Sequence, residues 1–532
     1  RGYKQIEAAL AILVSGNCYV PVSADQPEER RKLIHEKMGI KYVITSGQIR
    51  ENIQWNEKIG VFCLEDMEKE AVLDEYEYPV VSPDSTAYVI MTSGTTGLPK
   101  GVEIAHKSAW NTICDINKRY AVNEKDVALA ISAMDFDLSV YDVFGILGAG
   151  AKLVLLPDSE KRNAEYWHEQ ILKYGVTIWN SVPALLEMLL VVVEMKKEKL
   201  PFRVAMLSGD WIGLELPNKL SGLTNNCTFA AMGGATEASI WSNYQLVTLP
   251  LPKEWKTIPY GNPLKGQAYR VVDSTGKDCP NWVQGELWIG GYGVAKGYRE
   301  NPKLTKEKFV VDKKGRWYRT GDNGRFWDNG TIEFLGRNDR QVKIKGNRIE
   351  LGEIESALAG LPSVLSVIVC IIGNTRKQIA AYVVLKKNFD ENEYEIMDEL
   401  KHILPDYMLP DILHLSDSVP LGFNGKIDIN KITDSLNKGN KVNDYEPPEN
   451  ELENKIKKIW ENILQKDKIS RNDNFFKLGG DSLKAVVIVT TIKQEMIEFA
   501  DISVRLLYEF PTIAQFANAI NAKIDKFEIE TI

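Results

Sequence analysis

"MTSGTTGLPKG" occupies residues 91–101 and follows directly on the apolar residues Tyr88, Val89 and Ile90. Without side chains at Gly94 and Gly97, the backbone can bring N–H groups close to an anion. Ser93, Thr95 and Thr96 add hydroxyl donors, Thr92 stands at the strand end, and Lys100 adds positive charge. The GxxxxGK[ST] pattern of a P-loop is not satisfied. A flexible polar turn is the competing reading, but so dense a set of glycines, hydroxyls and one lysine behind a buried strand points to phosphate.

Around this loop, from about residue 6 to 240, short apolar runs alternate with helical patterns. "YVIMTSG" (88–94), "AKLVLL" (151–156), "VTIWNSV" (176–182) and "RVAMLSG" (203–209) read as buried strands ending in turn residues. "YWHEQILKYG" (166–175) and "PALLEMLLVVVEM" (183–195) read as helices, and the alternation predicts a parallel α/β sheet. From 258 to 345 the texture becomes short strands punctuated by glycine, a β-rich subdomain. "VKIKGNRIELGEIESAL" (342–358) reads as a hairpin running into a helix and opens a small mixed unit.

"NKGNKVNDYEPPENE" (437–451) is polar with two prolines, a linker. Leu452, Ile456, Ile459, Trp460 and Ile463 then form one apolar face of a helix, the first of a bundle of roughly eighty residues. Within that bundle "DNFFKLGGDSLKA" (473–485) carries two phenylalanines into a Gly-Gly turn, and Ser482 opens the next helix. A serine there is ordinarily a cap.

The chain has 532 residues, which on a prior of about 150 per domain predicts three to four domains. Its formal charge of −8 argues against a nucleic-acid or anionic-membrane partner. The six cysteines are scattered, with no CxxC and no cysteine–histidine cluster, so no zinc site is evident and reduced thiols in a cytoplasmic protein are expected. The longest apolar run, 185–193, is far too short for a membrane span. No signal peptide is visible, and a chain opening on Arg1 rather than Met reads as a fragment.

The 91–101 loop resembles the phosphate-binding loop of adenylate-forming enzymes. Further stretches resemble, in order, the motifs of nonribosomal peptide synthetase adenylation domains. They are "LVSGNCYVPV" (13–22), "FDLSVYDVFG" (136–145), "GGATEASIWSN" (233–243), "GELWIGGYGVAKGY" (285–298), "YRTGD" (318–322), "GRNDRQVKIKGNRIELGEIE" (336–355) and "NGKID" (424–428). "FFKLGGDSLKA" resembles the attachment motif of peptidyl carrier proteins.

The resemblance covers the whole chain and implies a multi-domain α/β fold. Residues 1–338 would form a large core with a β-rich subdomain, its opening segment preceding Arg1. Residues 339–437 would form a small mobile α+β subdomain, 438–449 a linker, and 450–532 a helical-bundle carrier domain.

That family relation implies roles. ATP, Mg²⁺ and 4′-phosphopantetheine would be the cofactors. Lys426 would bridge the substrate carboxylate and the α-phosphate, and Glu237 would hold Mg²⁺, a hard cation suited to carboxylate oxygen. Asp322 would accept from the ribose hydroxyls beside Arg337. Phe334 and the backbone around Ala231, Gly233 and Gly234 would flank adenine, with Ala235 and Thr236 completing the nucleotide motif. Lys343 belongs to the same catalytic set, and Asp339 corresponds to a hinge about which the small subdomain rotates, withdrawing Lys426 as the carrier arm enters. Ser482 would take the phosphopantetheine. Most relatives place an aromatic residue at the position of Gly233; the form found here resembles a subgroup of thiazoline-forming assembly lines.

The family's amino-acid pocket maps onto Asp137, as the partner of the substrate ammonium, and onto Leu138, Tyr141, Asn180, Met206, Ser208, Met232, Ile240, Trp241 and Lys426. This lining is close to the pattern associated with cysteine. Tyr141 and Trp241 take up volume, while the methionines, Leu138 and Ile240 make the cavity apolar and polarisable, favourable to a thiol. Asn180 and Ser208 would serve a hydroxyl too, so serine is the main competitor.

The implied partners are an amino acid, a phosphopantetheinyl transferase and neighbouring condensation or cyclisation domains. A small MbtH-like activator is an open member of that set. An acyl-CoA synthetase-like or luciferase-like ligase shares the loop, but would carry no fused carrier and need no Asp137. A degenerate docking scaffold would not be expected to keep Lys426, Glu237, Asp322 and Lys100.

Overall fold

The structure, a computed structural model, describes residues 1–67, 77–94, 99–337, 341–344, 346–373, 377–387, 389, 391–416, 418, 420, 432–433, 436, 445–476, 478–480, 482–496, 499 and 502–530. A seven-stranded sheet dominates the first half. Its spatial order is Asn262–Pro263, Asn243–Val247, Thr228–Gly233, Val204–Leu207, Ile178–Ser181, Val127–Ala130 and Lys152–Leu155. The last five of these are parallel, and Asn243–Val247 runs antiparallel to Thr228–Gly233. Ile178–Ser181 and Val204–Leu207 are buried along their whole length, as expected of central parallel strands covered on both faces.

One strand departs from expectation. Thr86–Thr92, read as part of the parallel set, pairs antiparallel with Lys100–Ala105 in a separate three-stranded sheet closed by Gly297–Tyr298. Its residues are as apolar as those of the parallel strands, so burial marked it as a strand without revealing its partner. Only seven residues separate the two strands, too few for a crossover through a helix.

Helices set the edges. Ala164–Tyr174 starts at Asn163, whose side chain accepts from the Tyr166 N–H (3.2 Å), and stops at Gly175, which adopts φ 62°. Pro183–Lys196 is apolar nearly all round, with Leu186, Leu189, Leu190, Val192 and Val193 buried. It packs against Ala164–Tyr174 and also against the helix Ser482–Glu495 from the C-terminal bundle, which is why no face of it is polar. Lys493 of that second helix pairs with Glu165 at 2.6 Å.

Gln267–Val272, Gly285–Gly291, Gly315–Phe326, Phe309–Asp312 and Ile332–Arg337 form an antiparallel sheet, the β-rich region expected from the glycine-punctuated sequence. The hairpin of Gln341–Ile344 and Asn347–Glu350 follows, leading into the helix Leu351–Ala359. A three-stranded sheet of Val364–Ile372, Gln378–Leu385 and Ile412–Ser416 then has its own apolar core. The terminal bundle comprises Glu451–Leu464, Ser482–Glu495, Val504–Glu509 and Ile513–Glu530, with Trp460 against Phe475 (centroids 5.0 Å) at its centre.

Candidate active site

The parallel strands end where the chain turns to Phe136–Val140, Ser208 and Gly233–Trp241, and these segments meet around one cavity of about 60 Å³. Asp137, Leu138, Ser208, Gly234, Ala235, Thr236, Ile240, Trp241, Asp322, Arg337 and Lys343 all line it, as do Gln341, Gly346 and Arg348 of the following hairpin. Residues scattered over two hundred positions are thus brought together. Binding pockets for small molecules run to about 300–1,000 Å³. The cavity is smaller than that, with Gln341, Lys343, Gly346 and Arg348 of the hairpin closing one side of it.

Glu237 sits in the single turn Thr236–Ala238 and is fully buried. It accepts from the Tyr298 hydroxyl (2.8 Å) and from Arg348 Nη1 (2.7 Å). Burial alone would raise its pKa, but Arg348, Tyr298 and Lys100 hold the carboxyl well below the usual range. An ionised carboxylate is the kind of hard oxygen ligand that suits Mg²⁺, and here Arg348 occupies the place of the positive charge. Asp137 behaves oppositely: burial raises it to about 6, against the opposing effects of a Thr236 hydrogen bond and the Lys343 charge.

The phosphate loop also engages the hairpin. The Ser93 hydroxyl donates to the carbonyl of Arg348 (2.7 Å), the Gly94 N–H donates to Glu353 Oε2 (3.0 Å), and Lys100 Nζ lies 3.5 Å from Glu350 Oε1. Glu353 also takes Arg30 at 2.6 Å, both side chains being buried. Two of the donors expected to meet phosphate, the Gly94 N–H and Lys100, thus face carboxylate oxygens, which have the same acceptor chemistry, so the loop fits an anion such as ATP. Thr92 is buried at the strand end, its hydroxyl 3.5 Å from the Lys100 carbonyl. Thr95, Thr96 and Gly97 lie outside the described residues, as do Asp339 and Lys426.

Asp322 and Arg337 are cross-strand partners whose side chains form an ion pair, and Arg337 also donates to the Thr320 carbonyl (3.1 Å). Burial lowers the pKa of the neighbouring Lys343. Phe334 stacks on Tyr260 (5.0 Å, 4° between planes) and tilts against Trp211 (5.2 Å), two rings that the sequence reading did not name. Ala231 is buried in its strand. Gly233 lies opposite Asn243, and a Cβ there would meet the Asn243 amide oxygen at 2.5 Å. The family's usual aromatic residue has no room here: Asn243 takes the space and donates to the Tyr269 hydroxyl (2.7 Å).

Among the residues expected to hold the amino acid, the Tyr141 and Trp241 rings meet at 5.2 Å and both are buried. The Tyr141 hydroxyl donates to Asn117 (2.9 Å), and its ring lies on Gly145, where a Cβ would collide at 2.5 Å. Trp241 Nε1 donates to Ser208 Oγ (2.9 Å). Met206, Met232 and Ile240 are buried beside them, and the Tyr120 hydroxyl approaches the Met232 sulfur at 3.7 Å. Ser239 and Ile240 both hold positive φ, 60° and 70°, a conformation uncommon for non-glycine residues and often found at functional sites.

Ser482 is the first residue of its helix. Gly479 before it takes φ 93°, and at Gly480 a Cβ would meet the Phe475 ring at 2.4 Å. No larger residue fits that turn, which delivers the serine at a helix start and fits an attachment point for 4′-phosphopantetheine. Among the functional residues the sequence reading passed over, Arg348, Glu350 and Glu353 stood within a quoted motif. One arginine and three carboxylates packed into "NRIELGEIE" (347–355) were the available signal.

Comparison with known proteins agrees with this geometry. Residues 1–299 match the AMP-binding enzyme family, 353–426 the AMP-binding enzyme C-terminal domain, and 454–520 the phosphopantetheine attachment site. The chain is 42% identical over 530 residues to the anguibactin system regulator of Vibrio anguillarum, covering 97% of this chain and 50% of that protein. It is 47% identical over 386 residues to pyochelin synthetase PchE of Pseudomonas aeruginosa, covering 72% and 26%. The chain spans half or less of the length of these relatives. Among solved structures, holo-PA1221, a protein with adenylation and carrier domains, superposes with TM-score 0.81 at 22% identity over 98% of this chain and 86% of that one. FmoA3 bound to α-methyl-L-serine-AMP gives 0.61 at 32% identity over 81% and 43%. The chain belongs to the AMP-binding enzyme family, as a nonribosomal peptide synthetase adenylation domain followed by a phosphopantetheine carrier domain.

It is therefore an adenylating ligase that uses ATP, with Mg²⁺ as the usual metal, and its carrier domain bears 4′-phosphopantetheine. Among the described residues, no helix is long and apolar enough to cross a membrane.

Proposed function

We propose that this chain activates L-cysteine as its adenylate and loads it onto the carrier at Ser482. The observation that carries this reading is the meeting of Asp137, Ser208, Trp241 and Asp322 at one cavity, with Tyr141 packed on Trp241 and Met206 and Met232 buried in the same core. The substrate ammonium is assigned to the Asp137 carboxylate. The substrate carboxylate then lies toward the loop donors and Lys426, and one of its oxygens attacks the α-phosphorus while pyrophosphate leaves. Lys426 and Lys100 stabilise the charge that develops there, and positioning supplies most of the rate gain. Glu237 would hold Mg²⁺, which supplies charge neutralisation for the polyphosphate. Phosphopantetheine on Ser482 supplies the thiol that accepts the aminoacyl group.

The domain limits proposed from the sequence, 1–338, 339–437, 438–449 and 450–532, fit this division of labour. Asp339 is proposed as the hinge. Condensation or cyclisation domains and an MbtH-like activator are proposed neighbours. Serine is the second reading, because Ser208 and Asn180 offer partners to a hydroxyl.

An ATP–pyrophosphate exchange screen across the amino acids tests the substrate; comparable rates for serine and cysteine would remove the cysteine assignment and leave the ligase intact. Ser482→Ala should abolish thioester loading, read by intact-protein mass, while exchange persists. A variant that still loads would refute the attachment site.

A further inference from the structure

Asp142 is not among the residues assigned above, yet it is one of the most enclosed charged groups in the protein, with 2% of its surface exposed. It lies one turn after Leu138, in the short irregular helical stretch that also holds Tyr141. Its Oδ1 accepts from Asn180 Nδ2 at 2.7 Å, and the same amide nitrogen reaches the carbonyl of the cavity-lining Leu138 at 3.4 Å. Among the described residues Asn180 Oδ1 is left buried without a hydrogen-bond partner, while the Asp142 carboxyl is also approached by hydrogen bonds from Ser132. An orphaned buried polar atom is costly, and a functional site is one place where such a cost is retained.

An asparagine amide offers a donor end and an acceptor end. An oxygen of Asp142 that accepts must face the NH₂ end; turned the other way, the amide would set oxygen against oxygen. With the NH₂ group taken by Asp142 and Leu138, Asn180 has only its carbonyl oxygen left to offer. Two neighbouring donors are already committed, the Tyr141 hydroxyl to Asn117 and the Trp241 indole to Ser208. Burial raises the Asp142 pKa to about 7, opposed by Asn180 and Ser132. Protonation at Oδ2 leaves Oδ1 still an acceptor, so the amide orientation holds in either state.

We propose that Asp142 is a positioning residue that locks the Asn180 amide so that its oxygen accepts from the side chain of the bound amino acid. The substrate class follows from that chemistry: a small amino acid whose side chain ends in a single S–H or O–H donor. This deepens the cysteine reading and rests on it. A side chain of the same size without a donor leaves the Asn180 oxygen unpaired and should be rejected.

The test compares L-cysteine, L-serine and L-2-aminobutyrate, which places a methyl group where cysteine has its thiol, by pyrophosphate exchange in the full chain. The unsubstituted enzyme should prefer cysteine to 2-aminobutyrate by about tenfold to a hundredfold, the usual consequence of leaving a buried acceptor unpaired. In Asp142→Asn, whose own amide can face Asn180 with either end, the preference should shrink to within about threefold. The loss should fall on KM for cysteine more than on kcat, and phosphopantetheine transfer to Ser482 reports that the fold persists. A purely structural role would lower turnover of all three amino acids together and leave the ratio unchanged, which would overturn the inference while cysteine remained the substrate. Should Asp142→Asn not fold, the unsubstituted enzyme still decides: equal turnover of 2-aminobutyrate and cysteine refutes the proposal. Failure of both cysteine and serine in the exchange screen would instead bring down the substrate reading itself.

Discussion

The cavity has two kinds of wall. One is apolar, with Leu138, Ile240 and Trp241 facing the cavity and Tyr141, Met206 and Met232 buried and packed in the same core. The other is the hairpin 341–350, which reaches the same space through charges: Arg348 to Glu237, Glu350 to Lys100, with Glu353 just beyond it on Gly94 and Arg30. A packed apolar wall resists change, because every displaced methylene is felt by its neighbours. An ion-pair wall can part and re-form, since water and incoming phosphates can replace each partner. Recognition of the amino acid is thus assigned to the rigid wall, and the change between half-reactions to the charged one.

Lys426→Ala should give the largest effect, a loss of adenylation of about 10²–10³-fold, the usual cost of one contact to charge developing in the transition state. Pyrophosphate exchange measures it, and a variant with unimpaired exchange would contradict the role.

Asp137→Asn sharpens the rigid side. Removing the partner of a buried ammonium should lower kcat/KM for the amino acid by about 150-fold, the factor equivalent to the lower end of the roughly 3–5 kcal/mol lost on breaking a buried pair. The free carboxyl, raised to about 6, must be ionised to bind, so kcat/KM should be flat above that pH and fall tenfold per unit below it. The linkage has the opposite sign for folding: a raised carboxyl favours the fold when protonated and loses that contribution as pH rises through 6. Asp137→Asn should therefore be no less stable at neutral pH, and a thermal melt that dropped sharply would mean that Asp137 serves packing instead.

Arg348→Ala probes the charged side. Because Arg348 pairs with Glu237, its loss should slow aminoacyl loading by about tenfold, as expected for one charge-assisted contact, and alter exchange by less than threefold. Equal losses in both half-reactions would erase the distinction between the two walls. The smallest effect expected is that of salt: these ion pairs are largely buried and little screened, so loading relative to exchange should change by less than about threefold between low and near-molar ionic strength.

Much of this organisation was legible in the sequence because motif-bearing residues lie at strand ends, where chemistry and turn residues coincide. Asp137, Asp322 and Ser208, from three separate motifs, line one cavity. What the sequence did not reveal were relations across distance. Thr86–Thr92 is as apolar as a parallel strand, and its antiparallel partner is chosen by the returning loop. Arg348 and Tyr298 look like surface or core residues until folding sets both on Glu237. Gly233 reads as a departure from the family pattern until Asn243 is seen filling the missing volume.

The contact between Tyr141 and Gly145 bears on redesign. With no room for even a methyl group behind the ring, a larger residue at position 145 must push the tyrosine forward, narrowing the space in front of it. A smaller residue at 141 does the reverse, and also frees position 145 to grow. The two positions form a piston and its stop. Libraries intended to retune which amino acid is accepted should vary them as a couple, because single changes at either will be filtered out by collision or by a void before selectivity is ever measured.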